Sequence, residues 1–119
     1  DLVSYALIRR DLAMPPGKLA AQAGHAFCHT LWSALASGRI APDAGGQATR
    51  IVLDVRDLHA LERTYVRARA AGLPCVLFTD SSHVFPPHFD GSPVVTALGL
   101  GPCRRAEARP IVRRFSCLR

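Results

Sequence analysis

The chain has 119 residues, a length that fits one domain with one core and excludes a multidomain scheme. Hydrophobic residues make up 49% and charged residues 20%, which excludes a disordered chain, and apolar stretches such as Ala6–Ile8 fall far short of the roughly 20 residues of a membrane span. Fifteen basic against nine acidic residues give a formal charge of +6, which favours a polyanionic partner such as nucleic acid, although fourteen of the fifteen are arginine, a bias that GC-rich coding also produces.

Leu2 to Ile8 is a nearly continuous apolar run closed by Arg9, Arg10 and Asp11, the pattern of a strand covered on both faces. Met14-Pro15-Pro16-Gly17 breaks the chain, and a helical pattern runs from about Lys18 to about Ala36, where Gly38 stops it. Residues 39–49 read as a surface loop. Arg50–Val55 is a short β-branched second strand. Asp57 is placed to N-cap a helix carrying Leu58, Leu61, Tyr65 and Ala68, ended by Gly72 and followed by Pro74. Cys75–Thr79 is a third strand with Asp80 at its C-terminal end, residues 81–92 form a Pro- and Gly-containing loop, and Pro93–Leu98 is a fourth strand. No crossover helix joins strands three and four, so they are expected to be antiparallel. Residues 103–112 close the chain as a short helix, in which Pro110 fits only a first turn or a break.

The order β-α-β-α-β-β-α predicts a three-layer α/β/α domain over residues 1–119, with a mixed, mostly parallel four-stranded sheet. Such sheets place ligands beyond the C-terminal ends of the strands, where residues 9–18 and Asp80 lie. The opening segment lacks the basic region, long apolar stretch and cleavage site of a secretory signal. The four cysteines show no CxxC spacing, and Cys28 and Cys75 sit in apolar segments as packed thiols. A reducing, cytoplasmic setting is therefore expected.

On the first helix, Lys18, Gln22, His25 and His29 fall within about a 60° arc, with Leu19, Ala20, Ala23, Phe27, Leu31 and Ala34 centred on the opposite side. Lys18 stands in the first turn, where free N–H groups already attract anions. A cation there opposes the helix field, so a phosphate, a developing oxyanion or plain solvation must account for it. His25 and His29 have the spacing of a metal pair, but Cys28 lies roughly 80–100° away around the helix and no carboxylate accompanies them, so no metal site is expected. Trp32 lies beside the polar stripe, placed to stack on a base or pack on a loop.

Asp11-Leu12-Ala13-Met14, Gly17-Lys18-Leu19-Ala20-Ala21-Gln22 and His25-Ala26 resemble the opening signature of the type II (archaeal and eukaryotic-type) peptidyl-tRNA hydrolases. Gly72-Leu73-Pro74, Asp80 and Thr96-Ala97-Leu98-Gly99-Leu100-Gly101-Pro102 resemble later motifs of that family, in the same order. The resemblance implies a cofactor-free hydrolase that cleaves the ester between a peptide and the 3′ end of tRNA. By position it implies Lys18, Asp80 and Thr96 as catalytic residues, with Gly17, Gln22 and His25 binding substrate beside them. Lys18 is suited to an oxyanion or the terminal phosphate, Asp80 to orienting Lys18 or a water, and Thr96 to positioning that water or the ribose. After Asp80 the chain departs from the family's Ala-Gly-x-Thr-Gln, continuing through a longer segment from Ser81 to Gly91 in which His83 and His88 are polar substitutes or solvated loop residues. The alternative is a catalytically silent RNA- or protein-binding module on the same scaffold; a third reading is hydrolysis of a small acyl ester without tRNA. Two copies could pair through an exposed helix or sheet edge.

Overall fold

In the computed structural model, which describes residues 1–44, 47–81, 84–85, 87 and 89–118, the opening apolar run is strand β1 (Leu2–Arg9). A 3-10 turn (Arg10–Leu12) leads to helix α1 (Pro16–Ala36), then strand β2 (Thr49–Val55), helix α2 (Leu58–Ala70) and strand β3 (Cys75–Asp80). Strands β4 (Val84–Phe85), β5 (Phe89–Asp90) and β6 (Val94–Arg104) follow, then helix α3 (Arg105–Val112) and strand β7 (Ser116–Cys117). The main sheet has the order β3-β6-β1-β2-β7. β1 and β2 are parallel, and β6 runs antiparallel to both β1 and β3. The α/β class and the antiparallel pairing of β3 with β6 therefore agree with the sequence.

The sheet has five strands rather than four, and it is mixed but not mostly parallel, since β1–β2 is the single parallel pairing among its described neighbours. Two residues after α3, Ser116 and Cys117, pair antiparallel with Asp54 and Leu53 of β2, a strand too short to leave any hydrophobic period. The loop after β3 also contains structure, a two-stranded hairpin of β4 and β5. β6 continues well past Leu98, where the expected fourth strand ends, through Gly99 and Gly101 to Arg104. Gly101 (φ +101°) sits where the pairing with β1 slips in register between Val3 and Tyr5, and a Cβ there would lie 2.6 Å from the Val3 carbonyl oxygen. Pro110 occupies the last turn of α3 rather than its first; with the helix ending two residues later, its missing N–H removes a single terminal bond.

Side-chain alternation divides the core in two. Val3, Tyr5, Leu7, Leu53, Leu98 and Leu100 face α2 and α3, whereas Ala6, Ile8 and Ala97 face α1 together with Ala23 and Ala26. Burial on both faces is why the first strand is almost continuously apolar. Asp57 caps α2 as expected, accepting from the Ala60 N–H, and this bond, helped by Arg56, holds its carboxyl below the ordinary range.

The buried side of α1 differs from the expected stripe. Gln22, Ala23, Ala26, Thr30 and Ala34 are buried, while Ala20 is exposed. Alanine occurs on both sides of this helix, so apolar content locates its inner face poorly, and the polar stripe borders the sheet instead of opposing it. Cys28 is likewise exposed, not packed; Cys75 and Cys103 are the buried thiols, Cys117 is exposed, and all four are free. Burial, then the nearby Glu107, pushes the Cys103 thiol up to about 11. No described helix is long and apolar enough to cross a membrane.

Candidate active site at the carboxyl rim of the sheet

Helix α1 starts at the rim formed by the C-terminal ends of β1 and β3 and the beginning of β6. A helix start leaves four N–H groups without intrahelical partners. Here Pro15 and Pro16 have none to offer, and the Leu19 N–H reaches the Pro15 carbonyl at 2.9 Å. The Gly17 and Lys18 N–H groups remain without a partner among the described residues, with no side-chain cap and no acidic residue in the first turn. A Cβ on Gly17 would meet nothing within 4 Å, so packing does not demand glycine there.

The Lys18 cation is compensated from across the fold. Its Nζ donates to Asp80 Oδ2 at 2.7 Å, joining residues 62 apart in sequence. The two side chains are only 8% and 15% exposed, so the pair is shielded yet still reaches the surface. Gln22, one turn further along α1, donates from Nε2 to the same Asp80 oxygen at 3.1 Å. Thr96 Oγ1 donates to Gln22 Oε1 at 2.5 Å. Because the Thr96 hydroxyl holds the carbonyl end of that amide, the amino end faces Asp80. Thr96 and Gln22 are both buried, whereas Asp80 Oδ1 carries no hydrogen bond among the described residues.

Close contact between α1 and β6 produces this arrangement. A Cβ on Gly99 would stand 2.3 Å from the Ala26 carbonyl oxygen, and Thr30 Oγ1 donates to the Gly101 carbonyl at 2.6 Å. The helix thus rests almost directly on the strand backbone, which brings Gln22 onto Thr96. At the neighbouring strand end, Arg9 Nη1 donates to the Val95 carbonyl at 2.8 Å, and Arg9 also pairs with Asp11.

The longer segment after Asp80 contributes Phe89, which sequence reasoning did not single out. Its ring is 1% exposed, and Lys18 Nζ lies 4.1 Å from its centroid, a cation–π contact that adds to the Asp80 ion pair in holding the ammonium. An isolated aromatic between prolines and a turn carries no periodic signal that would have marked it. His83 and His88 lie outside the described residues.

His25 is exposed and stands apart from the hydrogen-bonded chain. Its ring stacks on Phe78 of β3 at 4.6 Å, and His29 lies 5.3 Å from the same ring. Trp32, 60% exposed, continues this aromatic row at 5.1 Å from His29. No group of three histidine, cysteine or acidic side chains among the described residues is placed to hold a metal ion. The structure therefore joins Lys18, Gln22, Asp80 and Thr96 into one chain of contacts, sets Gly17 at its edge, and places His25 beside it in a separate aromatic cluster.

The family model described as Peptidyl-tRNA hydrolase PTH2 matches residues 2–118. The peptidyl-tRNA hydrolase of Aeropyrum pernix is 37% identical over 111 residues, covering 85% of each chain. That of Methanocaldococcus jannaschii is 36% identical over 80 residues, 65% of this chain and 69% of the relative. A Methanococcus maripaludis peptidyl-tRNA hydrolase is 30% identical over 116 residues, 94% of this chain and 95% of the relative. With a match along nearly the whole sequence, the chain belongs to the peptidyl-tRNA hydrolase PTH2 family.

Proposed function

We propose that this chain hydrolyses the ester joining a peptide, or an N-blocked amino acid, to the 3′ end of tRNA, and that Lys18 and Asp80 perform the reaction. The observation that carries this reading is the Lys18–Asp80–Gln22–Thr96 chain beside an uncapped helix N-terminus in a member of this family. Hydrolysis needs a water oxygen to bond to the ester carbon, a tetrahedral oxyanion to be stabilised, and the ribose 3′-oxygen to leave with a proton. Asp80 Oδ2 is held by two donors, and Oδ1 is left to accept a proton from the attacking water. The same carboxyl returns that proton to the departing oxygen, yielding a free carboxylic acid and intact tRNA. The Lys18 ammonium and the Gly17 and Lys18 N–H groups supply the positive field for the oxyanion. Gln22 and Thr96 act through Asp80: they fix the direction of the carboxylate and take part in no bond change. His25, laid on Phe78, offers a flat ring to the terminal base beside the reacting ester. No step calls for a metal or cofactor.

This activity belongs with translation, in the cytoplasm, and residues 1–119 act as one unit. Strand β3 lies at one edge of the sheet and is the route by which two copies would pair, which sedimentation at increasing concentration tests. The test of function is release of N-acetyl-amino acid from N-acetyl-aminoacyl-tRNA, with tRNA affinity measured in parallel. Multiple turnover that weakens as salt rises supports the hydrolase. Salt-sensitive tRNA binding without turnover would establish the silent module instead, and turnover of small esters alone would remove tRNA from the account.

A further inference from the structure

A second feature of the same rim is absorbed by none of the chemistry above. Beyond the ends of β1 and β2, a cleft of about 320 Å³ is lined by Arg10, Arg56, Arg63 and Arg114, with Asp54 and Phe115 among its walls. This is roughly ten times the ~30 Å³ share of one water molecule, room enough for a phosphodiester group. Two of its cations are already paired, Arg10 with Asp54 at 3.0 Å and Arg56 with Asp57 at 3.5 Å. Arg63, from the second turn of α2, and Arg114, from the segment after α3, have no carboxylate partner among the described residues. The cleft is therefore left with two guanidinium groups of uncompensated charge, presented from different elements.

We propose that this cleft binds backbone phosphates of the tRNA substrate, through Arg63 and Arg114, while the 3′ end enters the Lys18 site; the proposal rests on the reading of the chain as a tRNA ester hydrolase. Position supports it. β3, β6, β1 and β2 are consecutive neighbours, and three strand spacings of about 4.8 Å put Asp54 roughly 14 Å along the rim from Asp80. That separation is the reach of a few nucleotides, so one strand spans from cleft to site. Guanidinium pairs suit phosphate because their forked donors match its oxygens, and a phosphate contact positions the nucleic acid without reading its sequence. A substrate class that includes many different tRNAs requires that kind of grip.

The test compares wild type with Arg63→Gln, Arg114→Gln and the double variant. The control is Arg50→Gln at the other end of β2, outside the cleft. Both cleft side chains are exposed, and unchanged melting curves verify that the variants fold. Each single change is expected to weaken tRNA binding several-fold at low salt and to lower the slope of log affinity against log salt by about one. KM for N-acetyl-aminoacyl-tRNA rises with kcat unchanged. Hydrolysis of N-acetyl-aminoacyl-adenosine, which has no backbone phosphate, stays as in wild type. A double variant with wild-type tRNA affinity and salt slope overturns the proposal, as does an equal loss in Arg50→Gln, which would assign the effect to overall charge. If wild type turns over tRNA ester and the cleft variants match it, the cleft alone is refuted. If wild type neither binds nor cleaves the tRNA ester, the functional reading falls with it.

Discussion

In the proposed reaction, Thr96 is a residue with no access to solvent that acts on a surface carboxylate through an intermediary. Its hydroxyl fixes the Gln22 amide, and the amide fixes Asp80. Thr96→Val keeps the shape and removes the donor, so kcat is expected to fall roughly ten-fold or more with KM little changed, while Thr96→Ser restores most of the rate; a steady-state comparison checks this. Equal loss in both variants would point to packing instead. In the sequence, Lys18 and Asp80 stand out on chemistry and position, but Thr96 stands out only through the family resemblance, because a contact between residues 74 apart depends on the register of β6. Phe89 left no trace for the same reason: what places it is the fold of a hairpin, not a local pattern. The thiols give a second prediction at this scale. Cys103 is raised from 9.0 to about 11 by burial, so above pH 9 the unfolded chain loses a proton that the folded chain keeps. Stability contributed by this group is therefore constant below about pH 9 and declines as pH rises toward 11. Denaturant titrations at pH 8 and pH 10.5 on wild type and Cys103→Ala measure it; a wild-type decline no steeper than the variant's would contradict it. Thiol reagents at neutral pH should modify Cys28 and Cys117 and spare Cys75 and Cys103.

At the scale of elements, the decisive contact is α1 on β6. The helix is lowered onto the strand by small residues, Ala23 and Ala26 against Ala97 and Gly99, and that closeness makes a shared carboxylate possible. Gly99→Ala puts a methyl group into the Ala26 carbonyl, which is backbone and cannot swing aside. The expected cost is about 1–3 kcal/mol, a drop of roughly 5–10 °C in Tm, with kcat reduced because Gln22 is lifted from Thr96. A melting curve together with a rate measurement decides it; unchanged values would mean that the contact is more yielding than its geometry. Elements with long runs or caps, such as β1 and α2, were legible from periodicity and from Asp57 and Gly72. β7 and the β4–β5 hairpin were not, since two-residue strands exist only by virtue of their partners. The inner face of α1 is not legible because alanine lies on both of its sides and its two buried polar residues find partners across the fold: Gln22 goes in against Asp80 and Thr96 and Thr30 against the Gly101 carbonyl, while Ala20 stays out.

Across the whole molecule, charge is unevenly distributed in a way that composition alone hides. Helix α1 contains no arginine and a single lysine, whereas residues 58–70 and 105–114 carry seven of the fourteen arginines against only Glu62 and Glu107. The formal charge of +6 is thus concentrated on the α2/α3 layer and its rim, opposite the face covered by α1. On the proposed reading, an RNA held on that layer would meet the Lys18 site by crossing the rim, so turnover at subsaturating substrate should fall steeply between 50 and 200 mM salt, as multiple phosphate contacts require. The same assay on a phosphate-free ester should show little change. The account nevertheless depends most on a single pair of side chains. The most direct test is single-turnover ester release from N-acetyl-aminoacyl-tRNA by wild type, Lys18→Met, Asp80→Asn and the double variant, with folding verified by circular dichroism. If the two residues work as one unit, each single change lowers the rate by about 10²–10³ and the double change by no more than the worse single one. A Lys18→Met or Asp80→Asn protein that releases the amino acid at a near wild-type rate would contradict the account.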